Sequence, residues 1–274
     1  MNRWAPQRFV RIVGFTAAVV GGAISCSANR VSLGETEERG GIRFMKRSIE
    51  PLDAIGYTLH DGTDQVSEEV KYRRGRRHGT TREYHPGGQL AVEENYTNGV
   101  LEGERQEWYG NGQLKREETF DKGLNEGVVR EWLEGGELVL ERTMRAGQLE
   151  GADISWYASG QVECRATYEM GTLQGPRTMW YENGQKRLER TFVNGRAEGP
   201  STEWYENGAR WRETTWKLGK PDGPYFEWHE NGQKKVEALF EVGKLTEMRR
   251  WDENGIPVDE PNDTVLSETR SNGA

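Results

Sequence analysis

The sequence predicts an all-β fold: an elongated single-layer antiparallel sheet of stacked 24-residue β-hairpins. Three observations predict it. Glycine recurs at a fixed step of 24 residues, at Gly112, Gly136, Gly160, Gly184, Gly208 and Gly232, and two further glycine series (Gly75 to Gly243, Gly79 to Gly223) keep the same step. Aromatic residues keep time with them, at Trp108, Trp132, Trp156, Trp180, Trp204 and Trp228, and a second aromatic or large apolar residue closes each unit at Tyr96, Phe120, Met144, Tyr168, Phe192, Trp216 and Phe240. Asn-Gly pairs separate runs of about eight residues, a short-range hairpin signal. Self-similarity at such a step marks a repeat architecture, and a glycine every few residues is incompatible with helices.

The elements follow in chain order. Residues 1–26 begin with Arg3, Arg8 and Arg11 and continue with the apolar run Ile12 to Ile24. A positive start before a short apolar run reads as an export signal, too short to span a bilayer. It ends Ala23-Ile24-Ser25-Cys26, which resembles the lipobox of bacterial lipoproteins and makes Cys26 the candidate lipidation site; cleavage after Ala28, giving a secreted chain, is the competing reading. Residues 27–56 are expected to be a polar tether. The array spans 57–256, with a degenerate capping hairpin at 57–72 and repeats over 72–256. Its last unit is irregular, because Glu247 stands where the third glycine series requires Gly and Trp251 comes one residue early. Terminal repeats face solvent on one side and are atypical for that reason. Residues 257–274 are expected to be a disordered tail.

Composition supports an extended body. Only 34% of the 274 residues are hydrophobic, thin for one large core, yet ten Trp, ten Tyr and seven Phe argue against disorder. The net charge of −8 argues against nucleic acid as a partner. Two cysteines, Cys26 and Cys164, give no disulfide framework.

If each Asn-Gly is a two-residue type I′ loop, strand register follows. Glu107 then faces Arg116, Arg105 faces Glu118, Gln106 faces Glu117 and Trp108 faces Lys115. In later units Glu203 faces Arg212, Trp204 faces Trp211, Met179 faces Leu188, Trp180 faces Arg187 in a cation–π contact, and Arg177 faces Arg190 as a mismatch. Neither face would be uniformly apolar, so the sheet is expected to be wetted on both sides. About fifteen strands at a spacing of about 4.8 Å make an array roughly 70 Å long.

The unit NGRAEGPSTEWYENGARWRETTW, with NG-x-x-x-G, an aromatic pair, a second NG and a charged strand, resembles the bacterial variant of the MORN repeat, found in proteins usually labelled YwqK-family antitoxins. The resemblance covers about residues 72 to 256. It implies a binding scaffold and carries over no catalytic residue.

For function, the sequence shows no nucleophile, base or cofactor motif, and the reading is a non-enzyme without cofactor or metal. The leading expectation is an exported scaffold, anchored at the bacterial cell envelope through the N-terminal lipid, that binds a protein partner. One alternative is a carbohydrate- or cell-wall-binding module using the aromatic columns, with wall polysaccharide as ligand; another is an antitoxin-like neutralising protein. The candidate binding surface is Trp156, Trp180, Trp204 and Trp228 with Tyr157, Tyr181 and Tyr205, set against the simpler reading that these rings pack the sheet itself.

Overall fold

The computed structural model describes residues 29–258. The export signal, Cys26 and the tail beyond residue 258 lie outside the described residues.

Most of the described chain is strand, in one open, mostly antiparallel sheet of 21 strands beside a separate two-stranded hairpin. The first strands are β1 (Arg30–Ser32), β2 (Thr36–Arg39), β3 (Ile42–Met45), β4 (Ala54–Leu59), β5 (Val66–Arg73) and β6 (Arg76–Tyr84). From β4 onward the chain pairs antiparallel with itself hairpin by hairpin up to the edge strand Lys244–Arg250, with Val100–Leu101 and Gly103–Trp108, and two pairs like them, acting as single strands interrupted at the bulge. This is the stacked hairpin array the sequence predicts.

The segment 27–56, expected to be a polar tether, is structured from Arg30. β1 adds to β4 in parallel, and β2 and β3 form the separate hairpin. Three apolar residues in this polar stretch explain the difference. The Leu33 side chain lies where a Cβ on Gly56 would stand, Ile42 does the same over Gly75, and Leu52 is buried. The hairpin expected at 57–72 is present as β4 and β5, and β1 covers the outer edge of β4 along Ile55–Tyr57.

Two kinds of corner alternate, and the structure reverses the assignment made from sequence. The corner at Asn183-Gly184 is not type I′. Gly184 N–H donates to Tyr181 O (2.9 Å), Tyr181 N–H to Gln185 O (2.8 Å), and of these residues only Gly184 has positive φ, at 83°. That is a type I turn closed by a glycine bulge. Gly112, Gly136, Gly160, Gly208 and Gly232 repeat it, with φ of 82–96°. The type I′ loops are at the other corner. Asn194 and Gly195 have φ of 50° and 73°, and Val193 pairs directly with Arg196. The third glycine series supplies bulges within strands. At Gly199 (φ 76°) the register shifts between Arg190 and Thr191. Bulges increase local twist, so each repeat turns the sheet by one further increment. At Glu247 the bulge is shorter, which is why this unit needs no glycine there and Trp251 comes one residue early.

Register in strand middles is as expected: Glu107 with Arg116, Arg105 with Glu118, Gln106 with Glu117, Glu203 with Arg212, Met179 with Leu188 and Arg177 with Arg190. Beside the glycine-bulge corner it shifts by one. Trp108 pairs with Leu114, Trp180 with Lys186 and Trp204 with Arg210. The expected Trp180–Arg187 stack is therefore absent; Lys186 Nζ instead lies 5.9 Å from the Trp204 ring of the next unit.

Successive repeats are stitched at both corners. Tyr109, Tyr157, Tyr181 and Tyr205 each donate a hydroxyl hydrogen bond to the main-chain oxygen of Trp132, Trp180, Trp204 and Trp228 (2.7–2.8 Å). His85 and His229 do the same through Nε2 to Trp108 and Trp251. At the type I′ corner the first N–H of the turn donates to a side chain of the preceding unit, as from Lys122 to Glu102, Ala146 to Glu126 and Asn194 to Gln174 (2.8 Å each). The following glycine N–H donates to a preceding-unit carbonyl, as from Gly123 to Leu101 and Gly195 to Leu173. These bonds satisfy groups that an isolated hairpin would leave to water.

Two predictions follow from the corners. Leu133 occupies the Tyr position of its unit and cannot make the bond to Trp156, so Leu133→Tyr should stabilise the chain by about 0.5–1.5 kcal/mol in chemical denaturation. Val242 holds a β-branched side chain at φ 51°, so Val242→Asn should gain about 1 kcal/mol by relieving left-handed strain. No change in midpoint for either variant would refute the corner geometry.

Candidate functional site

Strand pairing places one residue per strand in a continuous row across one face. It runs Val70, Thr81, Glu94, Arg105, Glu118, Val129, Arg142, Asp153 and Ala166, then Arg177, Arg190, Ser201, Thr214, Tyr225, Ala238 and Met248, where the steps Glu94–Arg105, Glu118–Val129 and Ala166–Arg177 continue by one residue the register of Glu93–Gln106, Glu117–Arg130 and Arg165–Thr178. This axial row contains the most buried positions of the array, with Val70, Val129, Ala166 and Thr81 at 0–2% exposure. The sheet is thus not evenly wetted on both faces. Flanking the row on the same face are the closing aromatics, each opposite a bulge glycine: Phe120 faces Gly103, Phe192 faces Gly175, Trp216 faces Gly199 and Phe240 faces Gly223. These glycines are required by their positive φ (76–110°), and the rings opposite them add apolar surface beside the row in a sheet that has no second layer.

In the first half of the array the axial row is an ion network. Arg105 Nε donates to Glu94 (2.8 Å), and its Nη1 reaches Glu107 (2.5 Å) and Glu118 (2.8 Å). Arg116 bridges Glu118 (2.9 Å) and Glu131, and Asn125 Nδ2 donates to Glu118 (2.6 Å). Burial alone would raise the Glu118 carboxyl, but hydrogen bonds from Arg116, Asn125 and Arg105 and the charge of Arg116 outweigh it and hold it below its ordinary value. Glu107 is likewise raised by burial but held low overall by Arg105 and Lys115. Burial works against the charge of Arg105, yet its three carboxylates raise its pKa well beyond the usual range.

In the second half the network thins. Glu203 receives both Arg212 and Arg190, with Arg212 Nη2 at 2.7 Å from each oxygen and Arg190 Nη2 at 3.1 Å from Oε1. Arg190 also donates to Ser201 Oγ (3.0 Å), and its guanidinium carbon lies 4.6 Å from the Trp216 ring centre. Tyr225 hydrogen bonds Glu227 (3.0 Å) and packs edge-on to Phe240 at 5.7 Å. The opposite face alternates charge, as where Arg130 pairs with Glu117 (2.9 Å) and Glu141 (2.7 Å).

Trp156, Trp180, Trp204 and Trp228 end strands and are half-buried, and their main-chain oxygens anchor the stitch from the preceding unit, made by Tyr157, Tyr181 and Tyr205 to the last three. The tyrosine hydroxyls are engaged in joining repeats. The candidate aromatic set is spread along a line of corners, one step of 24 residues apart. The axial row was missed in the sequence, although its signal is there: positions 94, 118, 142 and 166 and positions 105, 129, 153 and 177 keep the step of 24. Residue type varies along it, so a search for recurring letters passes over it.

The geometry defines a hairpin-repeat scaffold. The family model described as MORN repeat variant matches residues 77–98, 101–122, 173–194 and 221–241. All four stretches are in phase, each running from one type I′ corner to the next, so these units are similar to that repeat. No curated protein matches the chain.

The network makes acid stability testable. Because Glu118 and Glu107 have depressed values in the folded chain, their contribution is present above the unfolded value, about 4.5, and is lost as pH falls through the folded value. Thermal melts should show the midpoint falling as pH drops below about 4.5. Glu118→Ala should cost about 1–3 kcal/mol at neutral pH by leaving Arg105 and Arg116 underpaired, and should flatten the acid dependence. An unchanged pH profile in the variant would remove this network from the account.

Proposed function

We propose that the chain is a non-catalytic scaffold that presents the axial-row face to a protein partner at the cell envelope. Repeats of this class generally mediate protein or membrane interactions. The observation that carries the choice is the axial face itself: a long row of arginines, carboxylates and half-buried rings with no second layer over it. Arginine and aromatic side chains are enriched at protein interfaces. Export and tethering rest on the sequence of residues 1–26, with Cys26 as the lipid-bearing residue and the described array held outside the membrane.

Two measurements test this reading. A photocrosslinking amino acid substituted at Leu188, on the axial face, should trap a discrete protein adduct in envelope fractions, whereas one at Glu189, on the opposite face, should not. Equal or absent adducts at both positions would overturn the choice of face. Labelling with a palmitate analogue should mark the wild-type chain and not Cys26→Ala, and retention of label in the variant would exclude the anchor.

A further inference from the structure

Arg177 and Arg105 hold the same position in the axial row, three repeats apart, but in different company. The three carboxylates that surround Arg105 are Glu94, Glu107 and Glu118. At the corresponding positions around Arg177 the chain has Ala166, Met179 and Arg190. Ala166 is buried, and Arg190 stands directly opposite Arg177 in the register. Among the described residues Arg177 makes no ion pair or side-chain hydrogen bond, although it is half-buried. Arg190 has Glu203, but Arg212 shares that carboxylate. Arg187 lies alongside, with Nη2 3.6 Å from Met179 Sδ. The place that holds an arginine with three internal carboxylates in one repeat therefore holds two opposed arginines and apolar side chains in another.

We infer that Arg177, with Arg190 and Arg187, is a docking site for carboxylate side chains of an acidic segment of a partner protein. The site copies an arrangement the chain completes elsewhere with its own glutamates, and guanidinium groups match carboxylates bidentately. Burial, with Arg212 and Arg177 nearby, pulls the Arg190 pKa down against the opposing effect of Glu203, in keeping with an excess of positive charge. The site lies on an open face flanked by Met179 and Leu188, which suits a peptide that brings its own covering surface. The overall negative charge does not prevent this, because charges beyond about 8 Å are screened at physiological salt.

The inference rests on the scaffold reading above, and the experiment separates the two. Fluorescein-labelled hexaglutamate and hexaglutamine peptides are titrated into the full chain at about 150 mM salt. The glutamate peptide should bind at least about tenfold tighter, and Arg177→Gln should weaken it about tenfold, the scale of one charge-assisted pair. Met179→Glu, which supplies an internal carboxylate as Glu107 does for Arg105, should both abolish peptide binding and raise the melting temperature. That gain shows that the variant is folded. Equal binding of the two peptides, undiminished binding by Arg177→Gln, or displacement of the peptide by inorganic phosphate at equal concentration would overturn the carboxylate-peptide site. Failure of the peptide to bind while the Leu188 adduct still forms would overturn this site and leave the scaffold reading in place.

Discussion

Everything in this molecule depends on corners that repeat at a constant step. A sheet with no second layer has little buried area with which to offset the entropy of ordering a long chain. It compensates by satisfying main-chain groups between repeats. The tyrosine hydroxyl, the turn N–H and the glycine N–H of one unit each find their partner in the adjacent unit, and they find it only because the intervening residue count does not change. Where the count does change, near Trp251, the bonds persist with a separation of 22 residues instead of 23, because the bulge at Glu247 absorbs the missing residue.

This makes the array nearly one-dimensional. Each strand contacts its two neighbours, so stability grows by adding units, and each unit is free to vary its side chains provided the corners hold. The axial row shows that freedom. Valine, threonine, glutamate, arginine, serine, alanine and tyrosine all occupy it, some almost fully buried, because flanking rings and cross-strand ions adjust to what stands there. Charge on the row is consequently a local property: closely paired around Arg105 and surplus around Arg177. A surface with constant geometry and variable chemistry suits recognition, since a partner reads residues set at regular spacing on a stiff ladder.

Fold class, repeat step, the capping hairpin and mid-strand register were all legible in the residues, because a 24-residue glycine period and complementary pairs such as Arg105–Glu118 constrain pairing directly. Three things were not. Asn-Gly occurs at both corners, and the letters alone do not say which carries the tight loop; Met170, Leu218 and Val242 take left-handed φ at positions where side-chain preference argues against it. The polar stretch before residue 57 looked like a linker because its three packing residues, Leu33, Ile42 and Leu52, are far apart. The axial row is hard to see because its residue type varies, whereas the tryptophans are the conspicuous repeated rings.

The amino-acid order by itself determined that this chain is a stack of hairpins with a fixed step, since glycine where φ must be positive and alternating side chains are local requirements. Only the tertiary structure decided which side chains meet. One extra residue beside each glycine-bulge corner, as at Lys115, shifts the parity of its strand, so whether Glu118 or its neighbour joins the buried row depends on pairing with strands on either side. The environment of Arg177, set by Ala166 and Arg190 on adjacent strands, is likewise a property of the assembled sheet and not of any one repeat.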